Sequence, residues 1–206
     1  MDRKDLGQYI DNLAFETGAH LGVSDGEYTK QLLAKWKKCT KYYLIDVWDT
    51  LLVPHYAVAN YHTSAKKHNQ TEVKQRAKQV LRAFENQTEF MEGRLEVLVY
   101  SFKDETLDFV YLDARPDYCA VRTALQRWWP KIRAGGIFAG SRYQSRAPLN
   151  EDWTLCEDGR KVTGAVKRAV DEFASANKLI VRVMNRDHEE NSFLLTKPSH
   201  NVNGKN

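Results

Sequence analysis

Residues 107–113 have the sequence LDFVYLD. The first six residues are apolar except for Asp108, and Asp113 follows them. A short run of this kind is typical of a strand that is buried on both faces, and such strands occur mainly in parallel sheets. A helical pattern follows at 118–131. After Gly135 and Gly136, residues 137–140 (IFAG) form the next candidate strand. The sequence therefore predicts a strand-helix-strand unit here.

The same alternation of strands and helices continues outward from this unit in both directions. The predicted strands are 13–16, 42–45, 95–100, 107–112, 137–140, 179–184 and 192–196, and the predicted helices are 24–38, 72–86, 118–131 and 164–177. A capping box of Ser24 and Glu27 is expected to start the first helix. The last two strands are too close in sequence for a crossover, so they should form an antiparallel hairpin.

These elements predict one α/β domain with a Rossmann-like, doubly wound sheet that is mostly parallel and ends in an antiparallel hairpin. A chain of 206 residues, with 42% apolar and 28% charged residues, is long enough for one such core and has the composition of a soluble globular protein. We expect the domain to cover residues 1–198 and a disordered tail to cover 199–206.

Three cysteines, Cys39, Cys119 and Cys156, are far apart in the sequence. An odd number without a Cys-x-x-Cys pair predicts neither a disulfide framework nor a zinc site, and it favours a reducing compartment. We find neither a membrane-spanning run nor an apolar signal region, so the expected location is the cytoplasm, without a membrane partner.

The net charge of +4 is modest for this length. Basic residues cluster at helical spacing around Lys66, Lys67, Lys74, Arg76 and Lys78, and we interpret them as a solvated helix face. A nucleic-acid groove is the alternative, although nucleic acid is not the favoured partner.

Ligands of doubly wound sheets bind outside the carboxyl ends of the strands. Glu16 is expected to end the first strand, and Gly18 and Gly22 would let the backbone approach a ligand, with free helical N–H groups after Ser24. Asp46 ends the second strand, where a carboxylate can bind ribose hydroxyls. The glycine spacing lacks the Gly-x-Gly-x-x-Gly order of dinucleotide sites. An acidic Glu16 suits a positively charged ligand.

Three stretches, 15–24, 44–48 and 107–119, together with WWPK at 128–131 and GGIFAG at 135–140, resemble class I S-adenosylmethionine-dependent methyltransferases. The resemblance covers about residues 12–198 and implies the strand order 3-2-1-4-5-7-6. It is closest to enzymes that methylate oxygen atoms of small molecules or sugars, including domains in glycan-building proteins of large algal viruses. It implies a small-molecule or glycan acceptor, for example a deoxysugar such as rhamnose, and, for a viral protein, the host cytoplasm. Because the first strand is predicted as early as residue 13, we expect the domain to be part of a longer protein that carries other domains.

The resemblance implies S-adenosylmethionine as the cofactor. It places Ser101 and Phe102 in an adenine-contacting loop, and Asp113 and Ala114 beside the methyl donor. The predicted cofactor-binding residues are Glu16, Gly18, His20, Gly22, Ser24, Asp46, Val47, Trp48, Ser101, Phe102, Asp113 and Ala114.

The predicted catalytic residues are Asp113, as the general base, with Asp117 and Tyr143 nearby. The sequence departs from the family where relatives carry histidine and aspartate, since Pro116, Ser141 and Arg142 stand there. Asp113 alone is a poor ligand set for a divalent metal, so we favour a metal-free mechanism over one that uses magnesium.

Several aromatic side chains have two interpretations. Trp128 and Trp129 are expected to pack in the core, whereas Trp48 and Trp153 are candidates for an acceptor-binding wall. The histidines of the 54–68 loop could fold over an acceptor, although each is more typical of a surface residue.

Two other functions remain open. The altered positions around Pro116 and Ser141 would suit a methyltransferase-like binding domain without turnover. A nucleic-acid methyltransferase is the second alternative, although the sequence lacks the Asn/Asp-Pro-Pro-Tyr run of the base-nitrogen enzymes.

Overall fold

A computed structural model describes residues 1–48, 69–149, 151–184 and 191–199. The strands are β1 (Thr17–Leu21), β2 (Lys41–Asp46), β3 (Thr88–Glu92), β4 (Leu107–Leu112), β5 (Ile132–Gly140), β6 (Arg182–Met184) and β7 (Ser192–Thr196). The helices are α1 (Leu6–Asn12), α2 (Glu27–Lys35), α3 (Gln70–Val80), α4 (Leu95–Leu98), α5 (Tyr118–Trp128) and α6 (Ala165–Ala176). The predicted loop at 54–68, the turn at 185–190 and the tail beyond residue 199 lie outside the described residues.

The strands form one seven-stranded sheet in the order β3-β2-β1-β4-β5-β7-β6. Neighbouring strands from β3 to β5 are parallel, whereas β7 runs antiparallel to both β5 and β6. The predicted fold, strand order and antiparallel hairpin are therefore confirmed. The strand order reverses between β1 and β4, which places a ligand crevice at their carboxyl ends.

Two hydrophobic clusters cover the two faces of the sheet. One contains Val110 and Leu112 of β4 with side chains of α5 and α6, and the other contains Phe109 with side chains of α1 and α2. All six residues of β4 are buried, as its largely apolar sequence predicts. Trp128 is fully buried, which confirms its expected packing role and contributes about 2–3 kcal/mol of burial free energy.

The first strand begins later than predicted. Residues 13–16 precede β1, and a helix that the prediction missed, α1, comes before them. The misplacement has a physical cause, because β1 is a central strand with the sequence TGAHL, which has neither a polar-apolar alternation nor many β-branched residues. The predicted Ser24–Glu27 capping box is also wrong: the N-cap of α2 is Gly26, and the first helical N–H, of Glu27, donates a 3.3 Å hydrogen bond to the side chain of Asp25.

The third strand is β3, not the predicted 95–100 stretch, which forms α4 and a short 3-10 helix, Val99–Ser101. Val97 and Tyr100 in this stretch are 62% and 76% exposed, so an apolar sequence run is not a buried strand here. The real strand, TEFME, lies at the edge of the sheet and is partly polar, which weakens its sequence pattern.

Cys119 and Cys156 form a disulfide, which contradicts the prediction from cysteine spacing. The two residues are 37 positions apart, but the segment after β5 brings Cys156 to the first turn of α5, which carries Cys119. Cys39 is free and buried. A reducing compartment, which was predicted from unpaired cysteines, is therefore not supported. No helix in the described part of the chain has the length and apolarity needed to cross a membrane.

Candidate active site

A pocket of about 500 Å³, open to solvent, lies at the carboxyl ends of the parallel strands. The lining residues come from the ends of β2 and β4, from the segments that follow β1, β2, β3 and β4, and from α5. They are Gly22, Ile45, Asp46, Val47, Gly93, Arg94, Leu95, Glu96, Leu112, Ala114, Arg115, Ala120 and Ala124.

Asp46 organises one side of the pocket. Its Oδ2 accepts hydrogen bonds of 2.8 Å from the backbone N–H groups of Val23 and Ser24, and its Oδ1 accepts one of 2.7 Å from Val47. Burial raises the pKa of the carboxyl group above its ordinary value, although these backbone donors oppose the shift. Asp46 thus fixes the β1–α2 turn against the end of β2 while lining the pocket.

At Gly22 the backbone after β1 lies very close to the backbone after β4. Its φ of +90° is a left-handed conformation, and a Cβ at this position would lie 2.4 Å from the carbonyl oxygen of Asp113 and 2.8 Å from the Cα of Ala114. Only glycine fits such a position without strain. The chain after β1 therefore passes directly over the chain after β4.

A cluster of charged groups forms the opposite wall of the pocket. Arg94 donates two hydrogen bonds, of 2.7 and 2.6 Å, to the carboxylate of Glu157, and Arg115 donates a third of 2.9 Å. Arg115 also pairs with the buried Asp117 at 2.9 Å, and Arg94 pairs with Glu96 at 3.6 Å. The two arginines line the pocket, whereas Glu157 belongs to the segment after β5.

Asp113 is surrounded by donors. Its Oδ2 accepts a 2.9 Å hydrogen bond from Arg3, and its Oδ1 accepts one from the hydroxyl of Ser141 and lies 3.4 Å from a guanidinium nitrogen of Arg142. Burial would raise the pKa of Asp113, but Arg142, Arg3 and Ser141 together hold it below its ordinary value. The carboxylate is held ionised, and a carboxylate whose pKa is lowered further from neutrality is a weaker general base.

His20 lies behind this cluster, on the face of the sheet that α2 covers. It is fully buried, and its Nδ1 shares a 2.8 Å hydrogen bond with the hydroxyl of Thr29. Its Nε2 has no hydrogen-bond partner among the described residues. Burial lowers the pKa of His20 to about 4, although the nearby Asp113 opposes this shift. The imidazole is therefore neutral near pH 7.

Four predicted cofactor-binding residues line the pocket: Gly22, Asp46, Val47 and Ala114. Glu16 and Gly18 do not lie at this edge. Glu16 is exposed and precedes β1 at its amino end, and a Cβ on Gly18 would lie 2.8 Å from the carbonyl oxygen of Phe109, inside the sheet. Both were predicted from a first strand placed too early, and the structure corrects that placement.

The other predicted cofactor residues have contacts elsewhere. Ser24 and Trp48 belong to the Asp46 turn, where the indole N–H of Trp48 donates a 3.0 Å hydrogen bond to the carbonyl of Ser24. Phe102 packs in the core, with ring centroids 4.9 Å from Tyr43 and 5.1 Å from Trp128, and Ser101 is exposed. The adenine-loop prediction followed the misplaced third strand, and in the structure the segment that lines the pocket follows β3.

Two predicted catalytic residues make structural contacts. Asp117 is fully buried, pairs with Arg115, and caps α5 by accepting a 3.0 Å hydrogen bond from the N–H of Ala120. The hydroxyl of Tyr143 donates to Asp171 of α6, and burial together with that carboxylate raises the pKa of Tyr143. Neither residue lines the pocket.

The predicted aromatic acceptor wall is also corrected. Trp48 is 3% exposed and Trp153 is 1% exposed, so neither presents a ring surface to a ligand in this conformation. Trp153 donates a 2.6 Å hydrogen bond from its indole N–H to Glu151. Trp129 packs edge-to-face against Phe173, as expected of a packing residue.

Sequence reasoning missed the residues that follow β3 and β4, namely Gly93, Arg94, Leu95, Glu96 and Arg115. A signal existed for the first four, because a glycine followed by charged residues after a strand predicts a loop at the carboxyl edge. One group of potential metal ligands comes together in the described residues, Asp117 with Cys119 and Cys156. The two sulfur atoms are bonded to each other and so are not thiolate ligands.

The sequence profile of a family described as a methyltransferase domain matches residues 16–140, more than half of the chain. The matched region contains β1 to β5 and every residue that lines the pocket. Comparison with curated protein sequences finds no match.

Several solved structures have the same fold. The O-methyltransferase from Bacillus cereus in complex with S-adenosylhomocysteine has a TM-score of 0.60 and 10% identity, over 95% of this chain and 80% of that one. The O-methyltransferase TomG from Streptomyces achromogenes, involved in tomaymycin synthesis and solved in complex with S-adenosylmethionine, has a TM-score of 0.60 and 12% identity, over 95% and 79%. A spermidine synthase has a TM-score of 0.56 and 14% identity, over 97% and 60%. At these identities the likeness shows the fold alone.

Proposed function

The chain belongs to the methyltransferase-domain family, and on that premise we propose that it transfers the methyl group of S-adenosylmethionine to a hydroxyl oxygen of a small molecule. The observation that carries this proposal is the pocket in which Gly22 and Asp46 meet at the strand-order reversal. The finer proposal is that the acceptor is a sugar or glycan hydroxyl.

The pocket residues fit the cofactor. Asp46 lies at the end of β2, where a carboxylate can accept hydrogen bonds from the two ribose hydroxyls, and the absence of a side chain on Gly22 leaves its backbone close to any ligand. Ile45, Leu112 and Ala124 supply an apolar floor for an adenine ring. The O-methyltransferases from Bacillus cereus and Streptomyces achromogenes were solved with S-adenosylhomocysteine and S-adenosylmethionine, respectively, which supports the same choice here.

The bound cofactor supplies a methyl group on a sulfonium, a centre that an oxygen nucleophile can attack in line. The chain then has to hold donor and acceptor in near-attack geometry, and such positioning can supply much of the rate enhancement. Gly22 and Ala114 bracket the junction of β1 and β4, where the two would meet. Asp113 lies beside that junction, where its hydrogen bonds from Arg3 and Ser141 fix the start of the segment after β4.

The proposed acceptor class has two sources of support. The O-methyltransferase neighbours support oxygen as the atom that is methylated. The sequence resemblance to methyltransferase domains in glycan-building proteins supports a sugar hydroxyl. A metal-free mechanism remains our preference, because the oxygens of Asp113 already bind two guanidinium groups and a hydroxyl, with which a cation would compete.

The test is a methyl-transfer assay that measures formation of S-adenosylhomocysteine, with deoxysugars and short oligosaccharides in one panel and catechols in another, each with and without a chelator. We expect transfer to a sugar hydroxyl that persists with the chelator. Transfer to catechols alone would contradict the sugar proposal, and activity that requires added magnesium would contradict the metal-free mechanism. Binding of the cofactor without transfer to any acceptor would contradict the proposed reaction.

A further inference from the structure

A segment outside the matched family region touches the pocket wall. Residues 151–163 follow β5, and the disulfide from Cys156 anchors this segment to Cys119 in the first turn of α5. The next residue, Glu157, is the one that binds both Arg94 and Arg115. The disulfide thus fixes the carboxylate next to it against two arginines that line the pocket.

Glu157 affects the charge of this wall as well as its shape. Two guanidinium groups, of Arg94 and Arg115, face three carboxylates, of Glu96, Asp117 and Glu157. Glu96 lies 3.6 Å from Arg94, whereas Arg94 donates two hydrogen bonds of 2.7 and 2.6 Å to Glu157, so Glu157 is the closer charged partner of Arg94. Without Glu157 the two guanidinium groups would repel each other, and the wall would carry one negative charge fewer.

We propose that Glu157, held by the Cys119–Cys156 disulfide, is a positioning residue that fixes Arg94 and Arg115 at the cofactor pocket and tunes the pocket toward a positively charged cofactor. The inference rests on the proposed function, because the ligand used to test it is S-adenosylmethionine. That molecule carries a net charge of one positive unit, from a sulfonium and an ammonium against one carboxylate. S-adenosylhomocysteine lacks the sulfonium charge and is neutral overall.

Because the disulfide holds Glu157 in place, the effect of Glu157 on the pocket should be sensitive to thiol reagents. A dithiol reductant transfers two electrons and two protons to the Cys119–Cys156 bond, which gives two cysteine thiols and the oxidised cyclic form of the reductant. Cys119 is partly exposed, whereas Cys156 is fully buried, so we expect the reductant to attack the sulfur of Cys119. Reduction leaves Glu157 without its neighbouring anchor and should weaken its hold on both arginines.

The experiment measures the dissociation constants of S-adenosylmethionine and S-adenosylhomocysteine by calorimetry for the wild type and Glu157→Gln. We expect the variant to bind S-adenosylmethionine about fivefold more weakly, from the loss of one nearby charge, with a much smaller change for S-adenosylhomocysteine. A purely structural role would weaken both ligands equally. The matched control is Asp158→Asn, which removes the same charge one residue away, where the carboxylate pairs with Arg160 instead.

The redox arm compares the wild type before and after dithiol treatment, with Cys119→Ser as a permanently open form and Cys39→Ala as a control that keeps the disulfide. Thiol titration should rise from one to three groups per chain on reduction. Reduced wild type and Cys119→Ser should both show the selective loss of S-adenosylmethionine affinity.

Equal weakening of the two ligands in Glu157→Gln, or an equal effect of Asp158→Asn, would overturn the positioning role. Unchanged affinities after complete reduction would overturn the role of the disulfide. If the oxidised wild type bound neither ligand, the proposed function would fail, and this inference with it. Thermal unfolding of each variant verifies that it is folded at the titration temperature.

Discussion

The carboxylate of Asp113 binds Arg3, Arg142 and Ser141, and these contacts limit the role that it can play in catalysis. Its lowered pKa keeps it ionised, so it offers a fixed charge more readily than it takes a proton. Arg3 is the most buried of these cations, with 11% of its side chain exposed, and its guanidinium also stacks on the ring of Tyr28 at 3.9 Å. A residue near the start of the chain thus completes the site.

Replacing Arg3 should therefore destabilise the protein. Arg3→Met removes one partner of a mostly buried ion pair and a cation–π contact, and we expect a loss of about 2–4 kcal/mol in the free energy of unfolding. The matched control is Lys4→Met, because Lys4 is 58% exposed and its pair with Asp2 should contribute about 0–1 kcal/mol. Urea unfolding measures both. Equal stabilities of the two variants would show that Arg3 does not hold the site together.

His20 gives the protein a predictable sensitivity to acid. Its pKa is about 4 in the folded chain against 6.5 for the free side chain, so the unfolded state binds more protons between these pH values. The stability that His20 contributes is therefore complete above pH 6.5, falls as the pH is lowered through this window, and decreases in total by roughly 3 kcal/mol.

His20→Gln should flatten the pH profile of the free energy of unfolding between pH 6.5 and 4, because glutamine does not titrate and can still bond to Thr29. Denaturant unfolding of the wild type and the variant at several pH values measures the difference between the two slopes. The other titratable groups contribute equally to both slopes and cancel in this difference. Parallel profiles would contradict a buried, neutral His20.

At the scale of elements, the turn between β1 and α2 requires glycine at position 22. Gly22 and Gly159 both have left-handed φ values, +90° and +84°, but a Cβ on Gly22 would collide with the chain after β4, whereas a Cβ on Gly159 would meet nothing within 4 Å. Gly159→Ala should cost only the conformational strain of about 1–2 kcal/mol, and Gly22→Ala should cost clearly more.

The same two variants also distinguish an effect on cofactor binding from an effect on stability alone. Gly22→Ala should also weaken binding of S-adenosylmethionine, because Asp113 and Ala114 have to move away from the β1 turn, whereas Gly159→Ala should bind like the wild type. Calorimetry and urea unfolding of both proteins provide the comparison. Normal cofactor binding by Gly22→Ala would contradict the close approach at this turn.

Elements could be predicted where their sequence pattern is strong. The predicted bounds of β4 and β7 agree with the structure, since β4 is apolar except for Asp108 and β7 is a short apolar segment close to its hairpin partner. The pattern failed for β1, whose glycine and histidine are buried by tertiary packing, and for β3, a partly polar edge strand. The apolar 95–100 stretch then took the place of β3, although two of its large side chains face solvent.

The site predictions depended on those strands. Asp46, Val47 and Ala114 follow correctly placed strands and line the pocket, whereas Glu16, Gly18, Ser101 and Phe102 were tied to misplaced strands and do not. Gly22 also lines the pocket, because the turn that contains it was predicted correctly although the strand before it was placed too early. Contacts between distant segments, such as the disulfide and the Arg3–Asp113 pair, left no pattern in the sequence because only the folded chain brings them together.

For the whole molecule, we propose that the pocket at the carboxyl edge of the sheet holds S-adenosylmethionine. Calorimetric titration of the wild type, Ala120→Phe and Gln126→Phe tests it most directly. Ala120 lines the pocket, so phenylalanine there would fill it, whereas Gln126 places the same ring on an exposed position of the same helix. We expect the wild type and Gln126→Phe to bind with similar affinity and Ala120→Phe to lose binding while remaining folded. Unimpaired binding by Ala120→Phe, or no binding by the wild type, would contradict the claim.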